Sequence, residues 1–114
     1  MNNFIFDLLS LFVVDGVEIP VKWLKYKGDL TTYIVFSDLG ETPASHADDD
    51  CEYSVIKFDF DIYTKGNFKN ILKALKKKLT ANGFTWVEDS PTMYEDDTGL
   101  YHITSTFEIE KYNQ

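Results

Sequence analysis

The segment that decides the fold is Tyr53–Gly83, with the sequence YSVIKFDFDIYTKGNFKNILKALKKKLTANG. Its first half alternates apolar and polar side chains, which is the period of a half-buried strand, and one face of that strand holds Ile56, Phe58, Phe60 and Ile62. Its second half changes to helical spacing, with an apolar stripe formed by Phe68, Ile71, Leu72, Leu75 and Leu79. A long strand followed by an amphipathic helix predicts a sheet that carries a helix on one face.

The composition favours a single folded domain, residues 1–114, without sequence-specific nucleic-acid binding. A length of 114 residues fits one domain, and the hydrophobic share of 44% and aromatic share of 16% argue against disorder. The formal net charge is −8, and all 11 basic residues are lysines. Because arginine supplies the bidentate contacts of base readout, an acidic chain without arginine is a poor candidate for reading DNA or RNA.

Cysteine usage and hydropathy predict a soluble protein of a reducing compartment. Cys51 is the one cysteine, so no intrachain disulfide can form. The apolar start MNNFIFDLLSLFVVDG has no basic region and contains Asp7, so we do not interpret it as a signal peptide. No stretch approaches the roughly 20 apolar residues that span a bilayer, and we expect no membrane contact.

The remaining chain predicts short elements on either side of the central segment. Residues 2–12 have one apolar helical face, and residues 17–27 read as an irregular strand broken at Pro20. Residues 31–37 predict a strand buried on both faces, and residues 38–52 predict a long polar loop. A short strand at 84–88, a polar turn region at 89–99 and an alternating strand at 101–111 complete the chain. The order predicts an α+β domain: a mostly antiparallel sheet, a long amphipathic helix packed on one face and a short N-terminal helix.

The side chains that carry catalytic or metal chemistry do not form a recognised motif. Cys51, His46 and His102 are the whole supply of cysteine and histidine, and none lies in a nucleophile motif. Asp48, Asp49 and Asp50 offer carboxylates, but they are adjacent and do not alternate as in a calcium loop. We therefore expect no catalytic residue, cofactor or metal. The helix lysines suit either a solvated face or a phosphate-binding patch.

The order of elements resembles one family, the tail terminator or tail completion proteins of long-tailed (siphovirus) bacteriophages. The early helix FIFDLL, the strand YIVFSDLGETPAS, the strand VIKFDFDIYTKG leading into a lysine-rich helix, and the closing strand YHITSTFEIEK carry the likeness. It covers the chain from about Phe4 to Lys111. The segment 23–26 departs from the pattern.

The resemblance implies a structural protein of the virion and not an enzyme. Such proteins form a hexameric ring on the head-proximal end of the tail tube, stop tube polymerisation and join tail to head through the neck proteins. DNA passes the ring without specific binding, and the virion is assembled in the host cytoplasm. On this interpretation an inter-subunit or lumen loop contains Glu41, His46, Asp48, Asp49 and Asp50, and a partner-facing helix surface contains Lys69, Lys73, Lys76 and Lys77.

Three alternatives remain open from the sequence. The chain is also compatible with a head-side neck protein, that is, a head completion or adaptor subunit. A small metal-dependent or phosphate-handling enzyme would use the acidic residues of the loop at 46–52. A monomeric module that interacts with a host protein is the third alternative.

Overall fold

The computed structural model describes residues 1–43 and 53–112. Within these residues the chain is an α+β protein with a mostly antiparallel sheet and two helices, as the sequence predicts. In chain order the elements are α1 (Asn2–Leu8), β1 (Val13–Val14), β2 (Val17–Glu18), β3 (Val21–Trp23), β4 (Thr32–Pro43), β5 (Tyr53–Thr64), α2 (Phe68–Thr80), β6 (Phe84–Asp89), β7 (Met93–Glu95) and β8 (Leu100–Tyr112).

The main sheet has the order β3-β4-β5-β8-β6, with β7 paired to β8 as well. All its pairs are antiparallel except β3 with β4, which is parallel. The break predicted at Pro20 in the strand at 17–27 is confirmed, because β2 ends before Pro20, which has no N–H to donate, and β3 begins after it. The first part pairs with β1 in a separate hairpin, and the second part ends at Trp23 instead of residue 27.

The core lies between one face of the sheet and the two helices. Ile56, Phe58, Phe60 and Ile62 of β5 are all buried, which confirms the alternation that the sequence predicts. Ile71, Leu75 and Leu79 of α2 are buried against them, and Phe68 and Leu72 pack at the margin. Tyr101, near the start of β8, is 38% exposed. Its ring contacts Phe68 and Tyr94 near the end of the sheet instead of entering the core.

Helix α2 has 13 residues, so the expectation of a long helix is wrong in length although its position and stripe are correct. Asn67 is the N-cap of α2, and its side-chain oxygen accepts hydrogen bonds from the backbone amides of Lys69 at 3.0 Å and Asn70 at 3.3 Å. At the other end Gly83 adopts φ +95°, which a side chain would disfavour. These two signals limit the helix to about 20 Å, whereas a strand of 12 residues spans about 40 Å.

Strand β4 continues further than the sequence predicts. Asp38–Pro43 was expected to belong to the polar loop, but it pairs with the first half of β5 down to Pro43 opposite Ser54. A bulge lies between Asp38 and Glu41, where Gly40 adopts φ +106°. Polar composition suggested a loop here because this part of the strand is exposed on both faces. The rest of the predicted loop, residues 44–52, lies outside the described residues.

The two remaining differences concern element ends. The predicted helix at 2–12 ends at Leu8, although Leu9 and Phe12 beyond it remain buried in the core. The predicted turn region at 89–99 contains β7, which pairs Tyr94 with Tyr101 of β8.

Candidate functional site: two charged faces of the sheet layer

The face of the sheet opposite the helices is lined by polar side chains. On β5 this face contains Lys57, Asp59, Asp61 and Tyr63, which alternate with the buried residues. We call it the open face. It also includes the β8 side chains that lie directly opposite these residues, namely His102, Thr104, Thr106 and Glu108. Sequence alternation identified each strand's polar side, but it did not show that the two sides join in one surface.

A row of stacked rings crosses one end of the open face. The ring centroids of Tyr26 and Tyr33 are 4.7 Å apart, those of Tyr33 and Tyr63 are 4.8 Å apart, and those of Tyr63 and His102 are 4.2 Å apart. Since Tyr33 and Tyr63 have a ring neighbour on both sides, the row stiffens the sheet and does not offer these two ring faces to a ligand.

The phenol groups of Tyr33 and Tyr63 stay protonated at physiological pH. Burial, followed by the Asp61 carboxylate, Tyr33 and Glu95, raises the pKa of Tyr63 to about 12. Burial also raises the pKa of Tyr33, with Glu95 as the next cause. Tyr33 and Tyr63 are therefore neutral and add no negative charge to the open face.

Hydroxyl groups of β8 hold the two central carboxylates of the open face. Asp61 Oδ1 accepts a hydrogen bond from Thr104 Oγ1 and lies 3.1 Å from His102 Nε2. Asp59 Oδ1 accepts one from Thr106 Oγ1 at 2.6 Å. These contacts join residues 41 to 47 positions apart, so only the strand register brings them together.

The open face is predominantly acidic. Its lysines include Lys57 of β5 and Lys22 of β3, which lies on this side because its partner Val35 is paired with Asp61. Its carboxylates are Asp59, Asp61, Glu88, Glu108 and Glu110, where Glu88 is placed by its pairing with Thr106. A surface of this charge repels phosphate groups and attracts cationic side chains.

The outer side of α2 carries the opposite charge. Lys69, Lys73 and Lys77 are exposed, in the positions that the helical pattern predicts. We call the surface formed by these three residues the lysine face. The sequence of α2 contains no acidic residue, so nothing within the helix neutralises these charges.

Lys76 does not belong to the lysine face, which corrects its predicted role. Its Nζ lies 2.6 Å from Asp89 Oδ2 and 4.3 Å from the centroid of the Trp86 ring. The second Asp89 oxygen accepts hydrogen bonds from Trp86 Nε1 at 2.9 Å and Ser105 Oγ at 2.6 Å. Lys76 therefore fastens α2 to the edge strand β6 and is not free for a partner.

Replacing Asp89 by asparagine is expected to lower the free energy of unfolding by about 2 kcal/mol at neutral pH, because the carboxylate accepts these charge-assisted bonds. Burial by itself raises the pKa of Asp89, but hydrogen bonds from Lys76, Ser105 and Trp86 outweigh it and hold the pKa below the ordinary value of 3.8. The carboxylate therefore stabilises the fold above that ordinary value, and its contribution is lost as the pH falls through the lower pKa of the folded protein.

Urea unfolding of the wild type and Asp89→Asn, repeated from about pH 7 down to about pH 2, measures this difference. The difference in unfolding free energy between the wild type and Asp89→Asn should become smaller at the lowest pH values. The exposed turn residue Asp97 provides the control, since Asp97→Asn should change stability by less than about 0.5 kcal/mol. A gap that stays constant down to the lowest pH would contradict the depressed pKa of Asp89.

The other predicted site residues are placed only in part. Glu41 lies within β4, not in a loop, and its Oε1 is 3.9 Å from Lys111 Nζ on an exposed surface. His46, Asp48, Asp49 and Asp50 lie outside the described residues. His102, which the sequence suggested to be exposed or hydrogen-bonded, bonds to Asp61.

Residues 1–43 and 53–112 contain neither a candidate metal cluster nor a helix suited to crossing a membrane. These residues contain no group of three or more histidine, cysteine, aspartate or glutamate side chains arranged to hold a metal ion. None of the helices in this part of the chain is both long enough and apolar enough to cross a membrane.

No protein-family model matches the chain, and no curated protein matches it significantly. Fold and surface together define an α+β protein with one helical layer, a lysine face on that layer and an acidic open face on the other side of the sheet.

Proposed function

We propose that the chain is a structural protein that forms a ring on the head-proximal end of a phage tail tube, stops tube polymerisation and joins the tail to the head. The observation that carries the proposal is the order of elements over almost the whole chain. In chain order these elements are a short N-terminal helix (α1), a strand (β4) with a long connection to a second long strand (β5), a lysine-rich helix (α2), a short strand with an aromatic residue (β6) and a long closing strand (β8). This is the order that the resemblance implies. The short strands β1 to β3 lie between α1 and β4, and β7 lies between β6 and β8.

The surface charges are compatible with the role of such a ring. A heterologous contact, in which two different surfaces of a subunit meet, generates a closed ring when the rotation between copies closes. The lysine face and the open face supply two different surfaces of opposite charge. DNA passes through the lumen without specific binding because the acidic chain repels phosphate groups.

The ring is proposed to be a homohexamer in the neck region of the virion, with the tail tube protein and a head-side neck protein as partners. The loop that includes His46, Asp48, Asp49 and Asp50 is proposed to face the lumen or a neighbouring subunit, together with Glu41 at its approach. The structure supports a deletion design, because Pro43 is paired with Ser54 across the hairpin. Removing residues 44–50 leaves three residues between that pair, which suits a short hairpin connection.

The test is to add the purified chain to polymerising tail tube protein and to measure tube length and end occupancy by electron microscopy. The wild type should cap one end and stop elongation, whereas the variant lacking residues 44–50 should fold, as judged by its melting temperature, and fail to form hexamers. A chain that binds head-side neck proteins but not tubes would instead be a neck protein. If the deletion variant still caps tubes fully and joins heads to tails fully, residues 44–50 are not part of the proposed contact.

A further inference from the structure

We infer that the acceptor of the lysine face of α2 is the acidic open face of a second copy of the same chain. The inference deepens the proposed function and rests on it for the closure of successive contacts into a ring. The contact itself is a property of this chain alone.

The two surfaces lie on opposite sides of one molecule. The apolar stripe of α2, including Leu75 and Leu79, is buried against the helix-covered face of the sheet, so Lys69 and Lys73 point away from the sheet. The carboxylates of the open face, such as Asp59, alternate with the buried residues of β5 and therefore project on the other side. The lysine face of one copy therefore cannot contact the open face of the same copy. When two copies dock, one lysine face and one open face remain free for further copies.

Each surface repels itself in an isolated subunit. Lys69, Lys73 and Lys77 follow one another at i, i+4 spacing, at which like charges destabilise a helix. On the open face Asp59 and Asp61 are neighbours on one side of β5, and Glu88 lies in line with Asp59 across Thr106, whereas Glu108 lies opposite Lys57. Docking of the lysine face on the open face would place cations against carboxylates and relieve both repulsions.

The outer side of α2 offers a small contact area. Between its lysine stems lies a shallow depression of about 260 Å³ lined by Lys69, Leu72, Lys73 and Lys76, which exposes part of an apolar side chain at the centre of the charges. A helix of 13 residues is about 20 Å long and about 10 Å wide, a footprint of roughly 200 Å². Stable interfaces use about 800 Å² on each partner. The pairwise contact is therefore weak and salt-dependent, and it gains strength when several copies close into a ring.

Charge exchange between the two surfaces tests the inference. The helix variant carries Lys69→Glu and Lys73→Glu, of which the first lies in the first turn of α2, where a carboxylate is compatible with the helix dipole. The sheet variant carries Glu88→Lys and Glu108→Lys. It keeps Asp61 and Asp59, which accept hydrogen bonds from Thr104 and Thr106. A combined variant carries all four changes. The control carries Lys25→Glu and Lys27→Glu, which matches the charge change of the helix variant at exposed positions away from α2.

Sedimentation of each purified protein is measured at low salt and at ~1 M salt, where the Debye length is only ~3 Å. The wild type and the control should associate at low salt and dissociate at high salt. The helix variant and the sheet variant should each associate at least about tenfold more weakly. An equimolar mixture of these two, and the combined variant alone, should recover association, because both restore unlike charges at the contact. In the mixture, helix variant and sheet variant must alternate around the ring, which is possible when the number of subunits is even.

Several outcomes would overturn the inference. They are a helix variant that associates like the wild type, a mixture of folded variants that does not recover, and a wild type that is monomeric at low salt up to its solubility limit. A helix variant that loses only binding to added duplex DNA would assign the lysines to a polyanion instead.

Tube capping is measured in parallel with association. If capping persists while the charge exchange has no effect on association, the docking is wrong and the proposed function stands. If association follows the charge exchange but tubes are never capped, the proposed function fails and the docking stands.

Discussion

Replacement of Phe60 by alanine is expected to lower the free energy of unfolding by about 3–5 kcal/mol, the range measured for deletion of buried aromatic rings. Phe60 is 0% exposed and lies in the middle of β5, the central strand of the sheet. Its ring centroid is 5.6 Å from that of Phe107, 6.0 Å from Phe36 and 6.3 Å from Phe84. Because these neighbours belong to three other strands, they cannot all move in to fill the cavity. A loss of this size is a large part of the 5–15 kcal/mol that a domain usually has.

Urea unfolding followed by far-UV circular dichroism measures this loss, and Phe4→Ala provides a control of the same chemistry. Phe4 is 42% exposed and its stacking on Phe84 is at the edge of the core, so its loss should cost about 1 kcal/mol or less. Equal losses for the two variants would show that Phe60 does not occupy the centre of the core.

The alternation in β5 was readable from the sequence because a strand buried on one face must repeat every second residue. Ile56, Phe58, Phe60 and Ile62 are buried as the pattern predicts. The stripe of α2 was readable for the same reason, with a period of 3.6. In both elements the burial is decided by neighbours in sequence, so a local pattern is sufficient.

Pairing between distant segments was not readable in this way. The parallel pairing of β3 with β4 depends on where the chain returns after Trp23, and three residues give no periodicity to indicate a direction. The extension of β4 to Pro43 was missed because an exposed strand with polar side chains has the composition of a loop. Its partner strand supplies the hydrogen bonds, and that partner begins ten residues further along the chain.

The two candidate surfaces show the same difference between features that a local sequence pattern predicts and features that depend on contacts between distant segments. Exposure of Lys69, Lys73 and Lys77 follows from the helical period and was predicted. The attachment of Lys76 to Asp89 was not, because it joins residues 13 positions apart through the packing of α2 on β6. The open face was missed as a surface because its carboxylates come from separate strands, and the register of β5 with β8 decides which of them are neighbours.

Two alanine substitutions in α2 should separate stability from association. Leu75 is 0% exposed in the apolar stripe, and Leu75→Ala should cost about 2–5 kcal/mol of unfolding free energy. Lys73 lies two residues earlier and is exposed, so Lys73→Ala should change stability by less than about 0.5 kcal/mol. Alanine has a higher helix propensity than either residue, so a loss of helix propensity explains neither result.

Urea unfolding measures the stability of both variants, and sedimentation at low salt measures their association under conditions in which each is folded. Lys73→Ala should weaken association while leaving the unfolding midpoint almost unchanged, because it removes one cation from the lysine face and no core contact. Folded Leu75→Ala should associate like the wild type, since its outer surface is intact. If both variants weakened association in proportion to their loss of stability, the effect would reflect partial unfolding of α2, and the lysine face would have no separate role in the contact.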